Sequence, residues 1–250
     1  MAVTDIKNQI EELSTRMDTA LNSYSIQAEF GEGDSKINVT LDEYEKSVFL
    51  TKAQNEVFIN LYNGKNVYGD SFESTEEIRR YLANLIDEKY FTTSTDVARK
   101  LSPNSVFYTL PDNVAFITLE QVEYGTTPKD CDEDLTAAVY PVTQDEYARV
   151  KDNPFRGPTR YKVLRLDRGN NVVELIPHKD YKIKSYYVKY LRKPQPIILT
   201  DLSGTDLYIE GQQAKSYCEM NPLLLDTIVD RAVVLAVQSK TIGTNNTKKE

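Results

Sequence analysis

The stretch of residues 40–64, TLDEYEKSVFLTKAQNEVFINLYNG, constrains the fold of this chain more than any other. Thr40, followed three residues later by Glu43, predicts a capping box, in which each side chain satisfies a free backbone N–H of the first helical turn. Gly64 fits the left-handed position that ends many helices at little steric cost. Because no proline or glycine interrupts the residues between them, we predict one continuous helix.

The apolar residues of this helix lie on two nearly opposite faces. The first face carries Leu41, Tyr44 and Val48, and the second carries Leu50, Ala53, Val57 and Leu61. A helix that packs on a single core keeps its apolar residues on one side, so this helix needs two partners. Either both patches pack within one domain, as in helical bundles, or one patch contacts a neighbouring subunit.

The composition is that of a globular protein, with 40% hydrophobic and 27% charged residues among 250. No apolar run reaches the roughly 18 residues that span a bilayer, and no secretory pattern opens the chain. We therefore expect synthesis in a cytoplasm and no membrane partner. Cys131 and Cys218 are too few for a disulfide framework. The net charge of −8 argues against a general affinity for the nucleic-acid backbone.

Residues that could perform chemistry are scarce. The single histidine, His178, leaves little equipment for proton transfer near neutral pH and cannot form a two-histidine metal site. The acidic run at residues 130–134 lacks the spacing and glycine of a calcium loop, so we interpret it as a solvated loop. No phosphate-binding glycine loop or nucleophile motif occurs. We predict no catalytic residue, no metal site, no cofactor and no enzymatic activity.

Periodicity predicts three further helices around a β-rich middle. Apolar spacing predicts a helix over residues 4–21, followed by a link over 23–38. Ser74 with Glu77 predicts a second capping box, opening a helix that runs to Ile86. Asn221 and Pro222 begin a final helix, for which Gly243 is the expected stop.

The middle of the chain alternates like strands. We predict strands over residues 105–110, 114–124, 135–142, 161–167, 172–177, 181–191, 197–202 and 207–211, with a hairpin turn at 167–171 and a short helix capped by Thr143 and Glu146. The predicted fold class is α+β. The helices within residues 1–100 and the helix within residues 216–243 form a connector-like bundle, and residues 101–215 form a β-rich inserted domain. Residues 244–250 form a flexible tail.

The strand YKIKSYYVKYLR places Lys182, Lys184, Tyr186, Tyr190 and Arg192 on one side. Aromatic rings interleaved with lysines can form a stacking platform for single-stranded nucleic acid. The same alternation is the usual pattern of a half-buried strand with one solvated face, which the acidic net charge of the chain favours.

Four stretches resemble the head–tail connector, or neck ring, proteins of crAss-like phages, which are tailed viruses of gut Bacteroides. These stretches are LDEYEKSVFLTKAQNEVFINLYNG, PVTQDEYARVKDNPFR, YVKYLRKPQPIIL and NPLLLDTIVDRAVVLA, spread over about residues 40–240. The resemblance implies a structural virion protein that forms a twelve-fold ring below the portal and extends the DNA channel toward the tail. It implies as partners further copies of this chain, the portal protein, adjacent neck or tail proteins, and passing DNA bound without sequence specificity.

Lateral packing of identical subunits in a closed ring requires two different complementary faces on each subunit. We expect the two-patched helix and the wide apolar face of the final helix to supply them, through Tyr44, Val48, Leu50, Val57, Leu61, Leu225, Ile228, Val229 and Ala232. Acidic subunits around a channel would repel phosphate and avoid trapping DNA in transit.

By resemblance to related connectors, the C-terminal end is expected to dock to the portal. This expectation falls on Thr244, Asn245, Asn246, Thr247, Lys248, Lys249 and Glu250, whose lysines could pair with portal carboxylates. The alternative is a tail or adhesin-type virion component that binds another protein or a host glycan through its tyrosine-rich β domain.

Overall fold

The computed structural model describes residues 3–29, 40–65, 69–95, 99–126 and 135–246. By its internal contacts the chain divides into two compact units. Residues 86–193 form the sheet unit, and the two flanking segments, 1–85 and 194–250, together form the helical unit. Among the described residues, every helix is too short or too polar to span a lipid bilayer.

The helices and strands of the described residues follow one another in a simple order. The helices are α1 Val3–Glu29, α2 Glu43–Asn63, α3 Glu76–Tyr81, α4 Gln144–Val150 and α5 Leu225–Asn246. The strands are β1 Ile86–Phe91, β2 Val106–Thr109, β3 Val114–Thr126, β4 Thr136–Pro141, β5 Lys162–Gly169, β6 Val172–Ile176 and β7 Lys182–Arg192. In the helical unit, α1 and α2 both pack against α5. The predicted α+β class, with terminal helices packed together around a β-rich middle of the sequence, is confirmed.

The sheet unit is one mixed, curled sheet in the order β1-β7-β3-β4-β5-β6-β2. Every neighbouring pair is antiparallel except β4 and β5, which are parallel and are connected through α4. The two outermost strands approach each other, since the rings of Phe91 on β1 and Tyr108 on β2 have centroids 5.6 Å apart. Just after β1, the Thr95 N–H donates to the Phe107 carbonyl at 2.7 Å. The curl therefore brings the two edge strands of the sheet together at this point.

The two faces of the sheet carry separate clusters of buried residues. The inner face of the curl carries a core rich in buried tyrosine, which includes Tyr108, Tyr124 and Tyr186. On the other face, Val150 of α4 packs with Leu164, Leu166 and Ile176.

The hairpin predicted at residues 167–171 is confirmed. Strands β5 and β6 pair across Asn170 and Asn171, and both residues have the left-handed conformation that such tight turns require.

The start of α2 and the end of α1 differ from the predicted boundaries. Helix α2 is capped by Asp42, not Thr40: the Glu45 N–H donates to the Asp42 carboxylate at 2.6 Å and the Asp42 N–H donates back to Glu45 at 3.3 Å. Its predicted end is confirmed, with Gly64 in the left-handed conformation. Helix α1 continues to Glu29, past the predicted start of the link, because residues 23–29 contain no glycine or proline. Residues 30–38 of that predicted link lie outside the described residues.

At the C-terminal end, Asn221 caps a short 3-10 turn, Pro222–Leu224, which leads directly into α5. The predicted stop at Gly243 is wrong, because α5 continues to Asn246. A single glycine inside a helix lowers stability by only about 1 kcal/mol, so the surrounding turns carry the helix past it.

Three predicted elements have a different structure. The helix expected to reach Ile86 is capped by Thr75, not Ser74, and ends at Tyr81, and Ile86 opens strand β1 instead. Residues 197–202 and 207–211 are not strands, because they form only isolated bridges, Ile198 with Ser216 and Ile209 with Gln212. Their apolar side chains are buried against α2, which accounts for the strand-like pattern.

Candidate assembly surfaces

Most of the residues predicted to pack between subunits are buried within a single chain. Their burial in the helical unit is complete or nearly so for Leu50, Val57, Leu61, Ile228, Val229 and Ala232. Helices α2 and α5, which carry them, pack directly on each other. A side chain with almost no accessible surface has its contacts inside its own chain, so these six form the core that supports any assembly surface.

The other apolar patch of α2 is also covered by the chain itself. Tyr44 and Val48 are half-buried against Ile198, Leu202 and Ile209, in the segment that follows the sheet unit. Both patches of α2 therefore have partners within the helical unit, as in the first of the two alternatives. Leu225 is half-buried at the start of α5. A role of any of these residues between subunits stays a prediction.

A polar stripe on α2 holds the segment after the sheet unit in place. The Thr51 hydroxyl donates to the Ile197 carbonyl at 3.2 Å and accepts from the Ile197 N–H at 3.1 Å. One turn earlier, the Ser47 hydroxyl accepts from the Leu199 N–H at 3.0 Å. On the following turn, the Gln54 amide donates to the Gln195 carbonyl at 2.7 Å. These side chains supply hydrogen-bond partners for the backbone N–H and C=O groups of residues 195–199, which a neighbouring strand would supply in a sheet.

Thr51→Val is expected to lower the free energy of unfolding by about 1–3 kcal/mol, because it leaves the buried N–H and C=O of Ile197 without partners while keeping the side-chain shape. Chemical denaturation followed by circular dichroism measures the change. Thr227→Val on the exposed face of α5 is the matched control, expected to change stability by less than about 0.5 kcal/mol. Equal effects of the two substitutions would contradict the role of the stripe.

A buried lysine joins α1 to α2. The Lys46 ammonium donates to Asp18 at 2.8 Å, to Glu43 at 2.9 Å and to the Ser14 hydroxyl at 3.1 Å. Burial opposes the charge of Lys46, but the hydrogen bonds to Asp18 and Glu43 outweigh it, so the pKa of Lys46 is raised above its ordinary value. The cluster therefore fixes how α1 lies along α2.

An acidic groove of about 730 Å³ runs between α1 and α5. Its charged lining is Glu11, Glu12, Arg16, Asp226 and Asp230, a formal net charge of −3. Arg16 bridges the two helices by pairing with Glu12 at 2.6 Å and with Asp226. Between the charges, Ala20 and Val229 give the groove an apolar floor. We call this feature the α1–α5 groove.

A second, smaller cavity of about 320 Å³ lies between α2 and α5. Val57, Leu61 and Leu224 give it an apolar wall, and the Arg231–Glu56 ion pair at 2.7 Å lies at its edge. Leu223, in the turn before α5, is 74% exposed beside it. Its size is at the lower end of the ~300–1,000 Å³ that small-molecule pockets occupy.

The stacking platform considered for β7 is not formed. Tyr186 and Tyr190 are buried in the core of the sheet unit, whereas Lys182 and Lys184 are exposed. The Tyr186 hydroxyl donates to the Glu120 carboxylate, which also accepts from Arg165 at 2.5 Å. Burial, with the negative charge of Glu120 beside it, raises the pKa of Tyr186 far above its ordinary value. This buried triad ties strands β3, β5 and β7 together.

Within the described ranges, no group of three or more histidine, cysteine, aspartate or glutamate side chains could hold a metal ion. His178 lies 3.3 Å from Asp180 and is partly exposed, as expected for a loop residue. Burial raises the pKa of the Cys218 thiol to about 11, which disfavours its reactive thiolate. The acidic run at residues 130–134 lies outside the described residues.

Comparison with known proteins supplies the family. The family model described as "Phage tail ring protein 3/4" matches residues 8–248, nearly the whole chain. This chain belongs to that family. It is 45% identical over 239 residues to Ring protein 3 of Bacteroides phage crAss001, which covers 94% of this chain and 98% of the relative. It is also 31% identical over 235 residues to Ring protein 4/5 of the same phage, which covers 91% of each chain.

The resemblance to ring proteins of crAss-like phages is thereby confirmed. As a member of the tail ring family, the chain is a structural ring component of the virion, and a structural role implies a protein that is not an enzyme. Of the residues expected to dock to the portal, Thr244, Asn245 and Asn246 belong to the last turn of α5. Thr247, Lys248, Lys249 and Glu250 lie outside the described residues.

Proposed function

We propose that this ring protein assembles with copies of itself into a closed, twelve-membered ring of the head–tail connector, below the portal. There it extends the DNA channel and joins the capsid portal to the tail. The observation that carries the proposal is the match of residues 8–248 to the tail ring family. The 45% identical relative, Ring protein 3 of Bacteroides phage crAss001, supports the same architecture.

The charge of the chain suits passage of DNA. Its formal net charge is −8, so a ring of many copies presents a strongly negative surface overall. Such a surface repels phosphate groups, so we expect it to bind DNA neither strongly nor with sequence specificity. We propose that the ring guides the genome without holding it. Its further partners are then the portal protein and the adjacent neck or tail rings.

The division of labour between the two units is also part of the proposal. The helical unit forms the connector core, and the sheet unit, residues 86–193, is a module carried on that core. The contact with the portal is made by the C-terminal end, residues 244–250. Deleting residues 247–250, which follow the last residue of α5, is expected to abolish attachment to the portal while the circular dichroism spectrum stays unchanged. Attachment at wild-type affinity would contradict a docking role for residues 247–250.

The decisive experiment is cryo-electron microscopy of the purified protein mixed with portal-bearing capsids that lack it. We expect added ring density below the portal into which this chain fits, and the rotational symmetry of that density counts the subunits. Capsids without added density, at protein concentrations well above about 1 µM, would contradict the portal contact. They would favour a tail or adhesin-type component that acts elsewhere in the virion.

A further inference from the structure

The segment between α4 and β5 presents an aromatic side chain directly to solvent. Phe155 is 91% exposed, more than any other large hydrophobic residue among those the structure describes. Single exposed apolar residues are common on protein surfaces, so the exposure of one residue is weak evidence for a binding surface. Here, however, Tyr161 and Tyr140 are also exposed, by 60% and 50%, on the same segment and on the neighbouring strand β4. Aromatic residues are enriched among the side chains that contribute most to the binding energy of protein interfaces.

The segment is held in one conformation before any partner binds. The Asn153 side chain accepts from the Phe155 N–H at 2.9 Å and from the Arg156 N–H at 3.2 Å. The Gly157 N–H donates to the Asn153 carbonyl at 2.8 Å. A Cβ atom at Gly157 would lie 2.7 Å from that carbonyl oxygen, so only glycine allows this close turn. A pre-formed loop loses little conformational entropy when it binds.

Each of the two tyrosine rings has one cation close to it. The Arg160 guanidinium lies 5.1 Å from the ring centroid of Tyr161, and the Lys162 ammonium lies 5.2 Å from that of Tyr140. Lys162 also donates to the Arg156 carbonyl at 2.9 Å, which links the loop to the start of β5. We call the group the basic aromatic surface; its members are Tyr140, Phe155, Arg156, Arg160, Tyr161 and Lys162.

The charge of this segment is opposite to that of the whole chain. Residues 151–162 carry four cationic side chains and one carboxylate, a formal net charge of +3, within a chain of −8. The α1–α5 groove has a formal net charge of −3, and between its charges Ala20 presents a partly exposed apolar side chain above the buried Val229. The chain thus carries two surfaces that complement each other in charge and in polarity.

We propose that the basic aromatic surface of one copy docks in the α1–α5 groove of the next copy, with Phe155 as the central anchor. Because the two surfaces differ, the contact is heterologous, and a heterologous contact closes into a ring when the rotation per subunit allows it. The inference rests on the proposed ring and names the surfaces that hold its subunits together. A basic aromatic surface can also bind single-stranded nucleic acid, but the matching acidic groove on the same chain favours a second copy.

Two charge-reversed chains test the pairing. The loop-reversed chain carries Arg156→Glu and Arg160→Glu, and the groove-reversed chain carries Glu12→Lys and Asp230→Lys. Each chain alone then places like charges at the contact, so its self-association is expected to weaken about 100-fold. In an equimolar mixture, every reversed loop finds a reversed groove and every native loop finds a native groove. The mixture is expected to restore rings in which the two chains alternate.

The measurement is analytical ultracentrifugation with native mass spectrometry, and the same chains are read on portal-bearing capsids by cryo-electron microscopy. Arg99→Glu with Lys100→Glu is the matched control: it makes the same change in net charge at exposed positions of the sheet unit away from the loop, and leaves assembly unchanged. Phe155→Ala is expected to weaken assembly without any change in charge.

The outcomes separate the two proposals. If the wild-type chain forms no ring, either free or on portal-bearing capsids, the proposed function fails. If the wild-type chain forms rings and both reversed chains do so with equal affinity, the ring stands and the docking inference is overturned. Failure of the mixture to restore rings overturns it as well. So does a loop reversal that abolishes binding to single-stranded DNA in a gel-shift assay while leaving ring formation intact.

Discussion

Replacing Glu120 by alanine is expected to lower the free energy of unfolding by about 3–5 kcal/mol, because it leaves a buried cation without its partner. Glu120 and Arg165 are both nearly inaccessible, with side-chain exposures of 5% and 11%, and their charged atoms are 2.5 Å apart. The substitution also removes the acceptor of the Tyr186 hydroxyl, which is completely buried. Urea denaturation followed by tyrosine fluorescence measures the loss.

Two further variants show whether the loss has this origin. Asp167 lies 3.3 Å from Arg165, but its side chain is 72% exposed, so Asp167→Ala is expected to cost no more than about 1 kcal/mol. The double substitution Glu120→Leu with Arg165→Met replaces the ion pair by apolar side chains and is expected to recover most of the lost stability. A Glu120→Ala chain within about 1 kcal/mol of the wild type would contradict a structural role for the pair.

A second large effect is expected at alkaline pH, where the stability should fall steeply. Burial raises the pKa of Tyr108 to about 12, and the pKa values of Tyr124 and Tyr186 are raised still further by their burial. An unfolded chain ionises its tyrosines near pH ~10. Above that pH the unfolded state releases protons that the folded state keeps, so the free energy of unfolding decreases.

The size of this effect follows from the number of buried phenols. Each tyrosine that ionises only on unfolding lowers the stability by about 1.4 kcal/mol per pH unit, so three of them give about 4 kcal/mol per unit. Their contribution is complete below pH ~10, and that of Tyr108 is lost as the pH rises through about 12. Denaturation midpoints measured from neutral pH upward, with phenolate absorbance in parallel, provide the test.

Tyr124→Phe is the matched variant, because the Tyr124 hydroxyl is buried and has no hydrogen-bond partner. The substitution is expected to be neutral or stabilising at neutral pH, since it removes an unsatisfied polar group. Above pH ~10, the free energy of unfolding of this variant should decrease less steeply with pH, because one buried tyrosine fewer ionises on unfolding. A stability that stays constant while the phenols titrate would contradict the burial of these rings.

The long helices could be predicted because their periodicity and capping residues are local signals. The start of α2 shows the limit of such signals. Thr40 with Glu43 and Asp42 with Glu45 are overlapping capping boxes, and both sequences satisfy the pattern. The folded chain uses Asp42, whose Glu45 partner completes the box. Choosing between them depends on where the preceding backbone lies, which the capping pattern does not contain.

Strand β1 could not be predicted from the sequence, for a different reason. The residues IDEKYF, Ile86–Phe91, carry charges instead of an alternating apolar pattern, because most of the strand is exposed. What makes it a strand is its distant partner β7, against which Ile86 to Phe91 pair antiparallel. The Tyr187 hydroxyl adds a hydrogen bond to Glu88 at 2.7 Å. Such long-range pairing overrides the local secondary-structure propensity of residues 86–91, and the sequence of this segment alone does not indicate a strand.

The assembly surfaces show the same limit. The sequence indicated which residues are apolar, but not which of them the chain itself covers. Leu50 and Ile228, predicted at subunit contacts, are completely buried, whereas Phe155 within the quoted PVTQDEYARVKDNPFR stretch is almost fully exposed. An Asn-Pro-Phe-Arg-Gly run signals a turn, but not that its aromatic ring points to solvent.

The pairing of β1 with β7 also bears on how such a protein can change over generations. The chain enters the sheet unit at Ile86 and leaves it after Lys193, and Ile86 lies directly opposite Leu191 in the register. Opposed residues of antiparallel strands have Cα atoms only about 5 Å apart. A short splice between Leu85 and Pro194 could therefore replace all of residues 86–193. Recombination between phage genomes could then exchange this segment as one cassette while leaving the helices that flank it untouched.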